Sequence, residues 1–236
     1  MAFGAMILAA GRGERMRPLS DACPKPLLAA GGKPLIAWQI DALRAAGFTD
    51  IVVNASHLAQ RLVDALGDGS ALGVRIAWSL EPVPLETAGG IATALPLLPA
   101  GPALIVSGDV WSRFDYASLL PRMRAMAADA APPRVHLVMV PNPPFHARGD
   151  FALRDGRVHE GDGARLTFGS IGVFDTALFR GLPRGEHLRL RPLFEEWIAA
   201  GIVSGERWDG PWANVGTPSD LALLDAALAA QPKDPR

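Results

Sequence analysis

Apolar and polar positions alternate along this chain in two rhythms, and the switching between them outlines a fold. Short β-rich runs at residues 5–10, 51–55, 75–80 and 103–107 predict strands. Between them, Ile36, Ile40 and Leu43 predict one face of a helix that stops at Gly47. Leu58, Leu62 and Leu66 predict a second helix, ending at Gly67. Apolar strands separated by helices call for a mainly parallel sheet covered on both faces. The pattern then changes. Residues 135–140 predict another strand, and Asn142-Pro143-Pro144 breaks the chain. Runs at 150–154 and 157–160 flank Asp155-Gly156, a two-residue hairpin signal. Residues 169–175 predict a further strand, and Leu190, Leu193, Phe194, Trp197 and Ile198 form a helical stripe. Thr217-Pro218-Ser219-Asp220 opens a last helix, with Thr217 as N-cap and Pro218 in the first turn, ahead of Leu221, Leu224 and Leu228. No internal repeat or low-complexity linker divides the chain. Residues 1–230 are therefore expected to form a single α/β domain, Rossmann-like, with helices flanking the sheet and a frayed tail at 231–236.

Composition narrows the class. The 236 residues are enough to bury a sizeable core, and a formal net charge of -1 gives no sign of a nucleic-acid or membrane partner. An anionic ligand would have to be held by donors placed locally. Cys23 is the single cysteine, which excludes an intramolecular disulfide and a cysteine-based zinc site. The apolar N-terminal run lacks the basic flank of a signal peptide and the length of a membrane span, so the expected location is the cytoplasm. Of 23 basic residues only Lys25, Lys33 and Lys233 are lysines.

Chemistry concentrates first in Leu8-Ala9-Ala10-Gly11-Arg12-Gly13-Glu14-Arg15, followed by Pro24-Lys25-Pro26-Leu27. A buried strand empties into a loop where Gly11 and Gly13 let backbone N–H groups come close to phosphate oxygens. Arg15 and Lys25 bring positive charge, and prolines on both sides of Lys25 fix its backbone. No Gly-Lys-Ser/Thr follows, so this is not a Walker A loop, and a third glycine is missing for a dinucleotide fingerprint. Taken together, the Gly-Xaa-Gly-Xaa-Arg and Pro-Lys-Pro elements resemble the signature of the sugar-phosphate nucleotidyltransferases, and the resemblance runs over nearly the whole chain. Chain length and motifs look most similar to the branch that acts on N-acetylmuramate 1-phosphate in bacterial cell-wall recycling.

The resemblance implies a glycosyltransferase-A-like nucleotidyltransferase fold, with a nucleotide-binding half over about 1–131 and a sugar-phosphate-binding half over about 132–230. It implies that Ala9, Gly11, Arg12, Gly13, Glu14, Arg15 and Lys25 wrap a triphosphate, with Arg15 and Lys25 stabilising the reacting phosphates. Leu85-Glu86-Thr87-Ala88-Gly89-Gly90 would hold the base. Thr87 is able to cap a helix there, Gly90 permits close approach, and Glu81 would lie near the base's hydrogen-bonding edge. In Ser107-Gly108-Asp109, a strand end carries a carboxylate suited to Mg²⁺, with Mn²⁺ the other candidate, and Gly108 beside the nucleotide. Trp212-Ala213-Asn214-Val215-Gly216-Thr217 departs from the family pattern, because Asn214 stands where a second metal-binding aspartate is expected. Asn214 would still coordinate metal, with a full charge fewer. Asp150, Glu160 and Ser170 are expected on the sugar side. The family's Glu-Lys-Pro lysine is absent from Glu160-Gly161-Asp162-Gly163-Ala164-Arg165, leaving Arg165, Arg189 and Arg191 as replacements. Catalytic roles fall to Arg15, Lys25 and Asp109. The implied reaction joins a nucleoside triphosphate, UTP favoured, to a sugar 1-phosphate with release of pyrophosphate, in a monomer or small homo-oligomer. The competing readings are a guanylyltransferase for mannose or heptose phosphate, a thymidylyl- or uridylyltransferase for glucose phosphate, and a low-activity nucleotide-sugar-binding regulator.

Overall fold

The computed structural model describes residues 3–129, 133–161 and 163–230. The expected division near 131 and 132 and the tail at 231–236 lie outside the described residues. In chain order, β1 (Gly4–Leu8) leads into α1 (Leu19–Ala22), the small ribbon β2 (Ala29–Ala30) and β3 (Lys33–Pro34), and α2 (Leu35–Ala45). Next come β4 (Asp50–Ala55), α3 (Ala59–Leu66), β5 (Arg75–Leu80), α4 (Glu86–Ala94), β6 (Pro102–Ser107), β7 (Val110–Ser112) and α5 (Leu120–Ala128). The second half contains β8 (Val135–Val140), the hairpin β9 (Phe151–Arg154) and β10 (Arg157–His159), then β11 (Arg165–Asp175) and α6 (Leu190–Ala199). The chain then runs through β12 (Val203–Arg207), β13 (Trp212–Asn214) and α7 (Pro218–Ala229).

One nine-stranded sheet, ordered β5-β4-β1-β6-β11-β8-β12-β10-β9, crosses both halves. The parallel character predicted from the sequence is carried by β5, β4, β1 and β6, and again by β8 beside β12. Around β11 and the β9–β10 hairpin the sheet turns antiparallel. The apolar strands predict this burial: Ala5, Met6 and Ile7 of β1 are fully enclosed, with one core on each side of the sheet. Residue spacing then fixes a functional edge. Leu8 pairs with Asn54 on one side and Ser107 on the other, so three parallel strands end in line. Ligands in open α/β sheets bind beyond such ends.

Two local expectations change. Leu58 does not lie on the apolar face of α3; it precedes the helix with φ 53, a left-handed entry turn. Thr87 is not a cap, since α4 begins at Glu86 with Leu85 before it. The helix's early N–H groups are met from elsewhere: Ala88 N and Gly89 N both donate to the Leu188 carbonyl, at 3.0 and 3.1 Å. Thr217 does cap α7, in a reciprocal box with Asp220. Among the described residues no helix is long and apolar enough to cross a membrane.

Candidate active site

A cleft of about 860 Å³ opens at the strand ends. Its wall includes Ala9, Gly11, Arg12, Gly13, Glu14, Arg15, Lys25, Thr87 and Asp109, so most of the predicted nucleotide-side residues share one cavity. Their placement follows from local chain geometry. Gly13 sits at φ 63, and its carbonyl accepts from Met16 N and Ser20 Oγ, both at 2.8 Å. The loop is thereby closed on itself. Lys25 heads a short turn between its prolines, and its ammonium reaches Asp109 Oδ2 at 2.6 Å. The lysine side chain is 10% exposed and the aspartate 29%, so the pair is partly shielded at the cleft wall.

Asp109 is held from behind. Gly108 N donates to the Leu8 carbonyl at 2.9 Å, and a Cβ on Gly108 would come within 3.2 Å of that oxygen. Val215 N donates to the Asp109 carbonyl at 3.0 Å, tying the carboxylate loop to the end of β13. Buried Gln39 donates to the Val110 carbonyl and accepts from the Tyr116 hydroxyl. Burial holds that hydroxyl's pKa far above its ordinary value, so it remains a donor.

Glu81 and Gly90 lie behind the cleft wall instead of facing it. Glu81 is 4% exposed; its Oε1 accepts from Asn54 Nδ2 at 2.7 Å and its Oε2 from Leu85 N at 3.1 Å. With both oxygens so engaged, the carboxylate does not present itself to a base edge. Burial raises its pKa above the ordinary carboxylate value, opposed by the Asn54 and Leu85 hydrogen bonds. Asn54 in turn accepts from Ala9 N at 2.8 Å. A buried relay therefore links the phosphate-side loop, β4, β5 and the start of α4. Gly90 is required by this relay, because a Cβ there would sit 2.7 Å from Asn54 Nδ2 and 2.8 Å from Glu81 Oε1. Gly90→Ala is expected to cost about 1–3 kcal/mol by overpacking. Thermal unfolding would register it as a lower Tm, and an unchanged Tm would show that the relay tolerates displacement.

A second pocket of about 310 Å³ shares Leu8, Glu86, Thr87 and Ser107 with the first. Its lining includes Asp150 and Ser170, as predicted, over a floor of Phe151, Phe168, Phe174 and Phe194. Phe194 packs edge-on against Phe151 and Phe168, with ring centroids 5.5 Å apart in both pairs. Asp150 accepts from Phe168 N at 2.8 Å and meets His146 Nε2 at 3.0 Å. Glu160 is not part of the lining. It is engaged by Arg191 Nη2 at 2.6 Å and lies 3.6 Å from Arg165 Nη2, so it anchors arginines.

The structure tests the metal expectation through donor chemistry. Asp109 offers one carboxylate at the cleft. Asn214 borders a neighbouring depression, not the cleft, and its Oδ1 is buried without a hydrogen-bond partner. Among the described residues no group of three or more His, Cys, Asp or Glu could hold a metal ion. The Asp109 carboxylate at the cleft by itself suits Mg²⁺, which takes few protein carboxylates and keeps water and phosphate oxygens in most positions. It would not fit a metal that needs an all-protein cage.

Sequence reasoning missed Asn54, His187 and Gly216, all on the cleft wall. The wall joins a glycine loop, three basic residues and a strand-end carboxylate at the sheet's C-terminal edge, which defines a phosphate-handling protein of the open α/β class. Residues 4–145 match the family described as Nucleotidyl transferase. An N-acetylmuramate alpha-1-phosphate uridylyltransferase of Neisseria meningitidis serogroup B is 47% identical over 96% of this chain and 98% of its own length. A mannose-1-phosphate guanylyltransferase of Mycobacterium tuberculosis is 30% identical over 95% of this chain and 64% of its own. A Bacillus anthracis protein crystallised with sucrose superposes with a TM-score of 0.86, covering 99% of this chain and 98% of that one at 17% identity. The chain belongs to the nucleotidyl transferase family and has its α/β fold.

Proposed function

We propose that this enzyme transfers a nucleoside monophosphate from an NTP to a sugar 1-phosphate, with UTP and N-acetylmuramate 1-phosphate as substrates. The observation that carries the reading is the continuity of two pockets through Leu8, Glu86, Thr87 and Ser107. The larger suits a triphosphate and base beside Arg12, Arg15 and Lys25. The smaller suits a sugar, whose apolar faces and acyl substituents would rest on the phenylalanine floor. The near full-length likeness to the Neisseria uridylyltransferase supports the choice of base and sugar.

In this reading a sugar-phosphate oxygen attacks the α-phosphorus in line and pyrophosphate leaves, with no protein nucleophile. Arg15 and Lys25 neutralise charge on the reacting phosphates, and the Gly11–Gly13 backbone aligns them. Asp109 would hold Mg²⁺, with Asn214 as second oxygen donor; the ion would supply further neutralisation of the triphosphate. An amide in place of a carboxylate weakens that hold. Asn214→Asp is expected to lower the Mg²⁺ concentration for half-maximal turnover by about tenfold, or about 1.4 kcal/mol. An unchanged Mg²⁺ titration would remove Asn214 from the metal site.

The function is tested by pyrophosphate release from each of four NTPs against a panel of sugar 1-phosphates with Mg²⁺. Release with UTP and N-acetylmuramate 1-phosphate supports the full assignment. Release with GTP and mannose phosphate keeps the reaction and changes both substrates. No release from any pair overturns the reading.

A further inference from the structure

An acceptor phosphate entering the smaller pocket brings a dianion to the junction with the larger one, close to Glu86. Something basic has to offset both charges there. Three arginines are near enough to consider, and the structure separates them. Arg165 donates to the Asp150 carbonyl, and Arg191 is held by Glu160 at 2.6 Å and Glu195 at 2.9 Å. Arg191 ties α6 to the end of the hairpin, and Arg165 ties β11 to the residue before it. Arg189 and Arg191 both line the pocket, but Arg189 differs in being uncommitted: its side chain is 73% exposed, and its nearest carboxylate is Glu86 Oε1 at 4.0 Å. That is a loose contact, worth little in water.

The placement of Arg189 is nevertheless firm. Leu188, its neighbour, donates to the Leu85 carbonyl at 2.9 Å and accepts from Ala88 N and Gly89 N. Residue 189 is therefore fastened to the start of α4 while its side chain stays free. Gly89 makes this approach possible, since a Cβ there would meet the Glu186 carbonyl at 2.1 Å. Glu86 itself holds φ 60, an uncommon backbone for a non-glycine residue, and lines both pockets.

We infer that Arg189 is the residue that grips the phosphate of the acceptor, exchanging its loose contact with Glu86 for the incoming dianion. A guanidinium binds phosphate through two parallel N–H donors, stronger and more directional than the contact it leaves. This rests on the sugar 1-phosphate reading above, and makes Arg189 a determinant of acceptor binding and not of nucleotide binding.

The test is a kinetic comparison of wild type, Arg189→Ala and Arg189→Lys with both substrates varied, alongside thermal unfolding. Because Arg189 is exposed, both variants are expected to fold with the wild-type Tm. Arg189→Ala should raise the acceptor KM by about 10–100-fold and leave the NTP KM unchanged, with Arg189→Lys partly restoring it. Inorganic phosphate, competing with the acceptor, should inhibit Arg189→Ala less than wild type. An unchanged acceptor KM in a folded, active Arg189→Ala enzyme overturns the assignment while leaving the transfer reaction standing. Absence of transfer by wild type overturns the underlying reading instead.

Discussion

Lys25→Met is expected to lower turnover by about 10²–10³-fold, the effect of removing one preorganised charge donor from a transition state. The lysine is held for this role by its surroundings. Pro24 and Pro26 restrict the backbone, the stem is almost enclosed, and the ammonium ends at the cleft beside Asp109. Methionine preserves the stem's packing and removes only the charge. Asp109 then loses its partner, but at 29% exposure it regains water, so the stability loss should be about 1–2 kcal/mol. Single-turnover rates read the chemical step, and thermal unfolding reads the fold. A folded variant with near-normal turnover would take Lys25 out of the mechanism.

The second large effect is expected at Asp109. Asp109→Asn keeps the shape of the side chain, and its backbone carbonyl still accepts from Val215 N. Folding should therefore be preserved. The change removes the carboxylate to which the metal role is assigned and releases Lys25 from its ion pair. We expect turnover to fall by about 10²–10³-fold and its response to Mg²⁺ to flatten over the usual millimolar range. The two variants differ in that second readout: Lys25→Met should retain a normal Mg²⁺ titration, whereas Asp109→Asn should not. Equal Mg²⁺ dependence in wild type and Asp109→Asn would place the metal elsewhere.

Much of this site was legible in the sequence because its chemistry is local. Gly11, Gly13 and Arg15 lie on one loop, Lys25 is set by its own prolines, and Asp109 ends a strand whose apolar run is unmistakable. Features made by register were hidden. Asn54 reaches the cleft because β4 pairs with β1 at Leu8, 46 residues away in the chain. No spacing within β4 announces that partner. The capping expectation at Thr87 failed for a similar reason: the Leu188 carbonyl, from the other half of the chain, satisfies the helix start. Glu81 was expected at the base edge because the family resemblance implies it. Only its burial, with Asn54 and Leu85 already bonded, shows that it braces the wall. The sugar-side arginines were indistinguishable in sequence, being one residue type within 27 positions, and only their partners tell them apart.

The central claim is direct transfer between two substrates bound together in adjoining pockets. It is tested most directly by following wild-type enzyme, UTP, N-acetylmuramate 1-phosphate and Mg²⁺ by phosphorus NMR, with parallel samples lacking one substrate. The account predicts a new diphosphate diester and pyrophosphate in equal amounts, only when both substrates are present. Pyrophosphate appearing from UTP without the sugar phosphate, or no diester although both substrates bind, would contradict it.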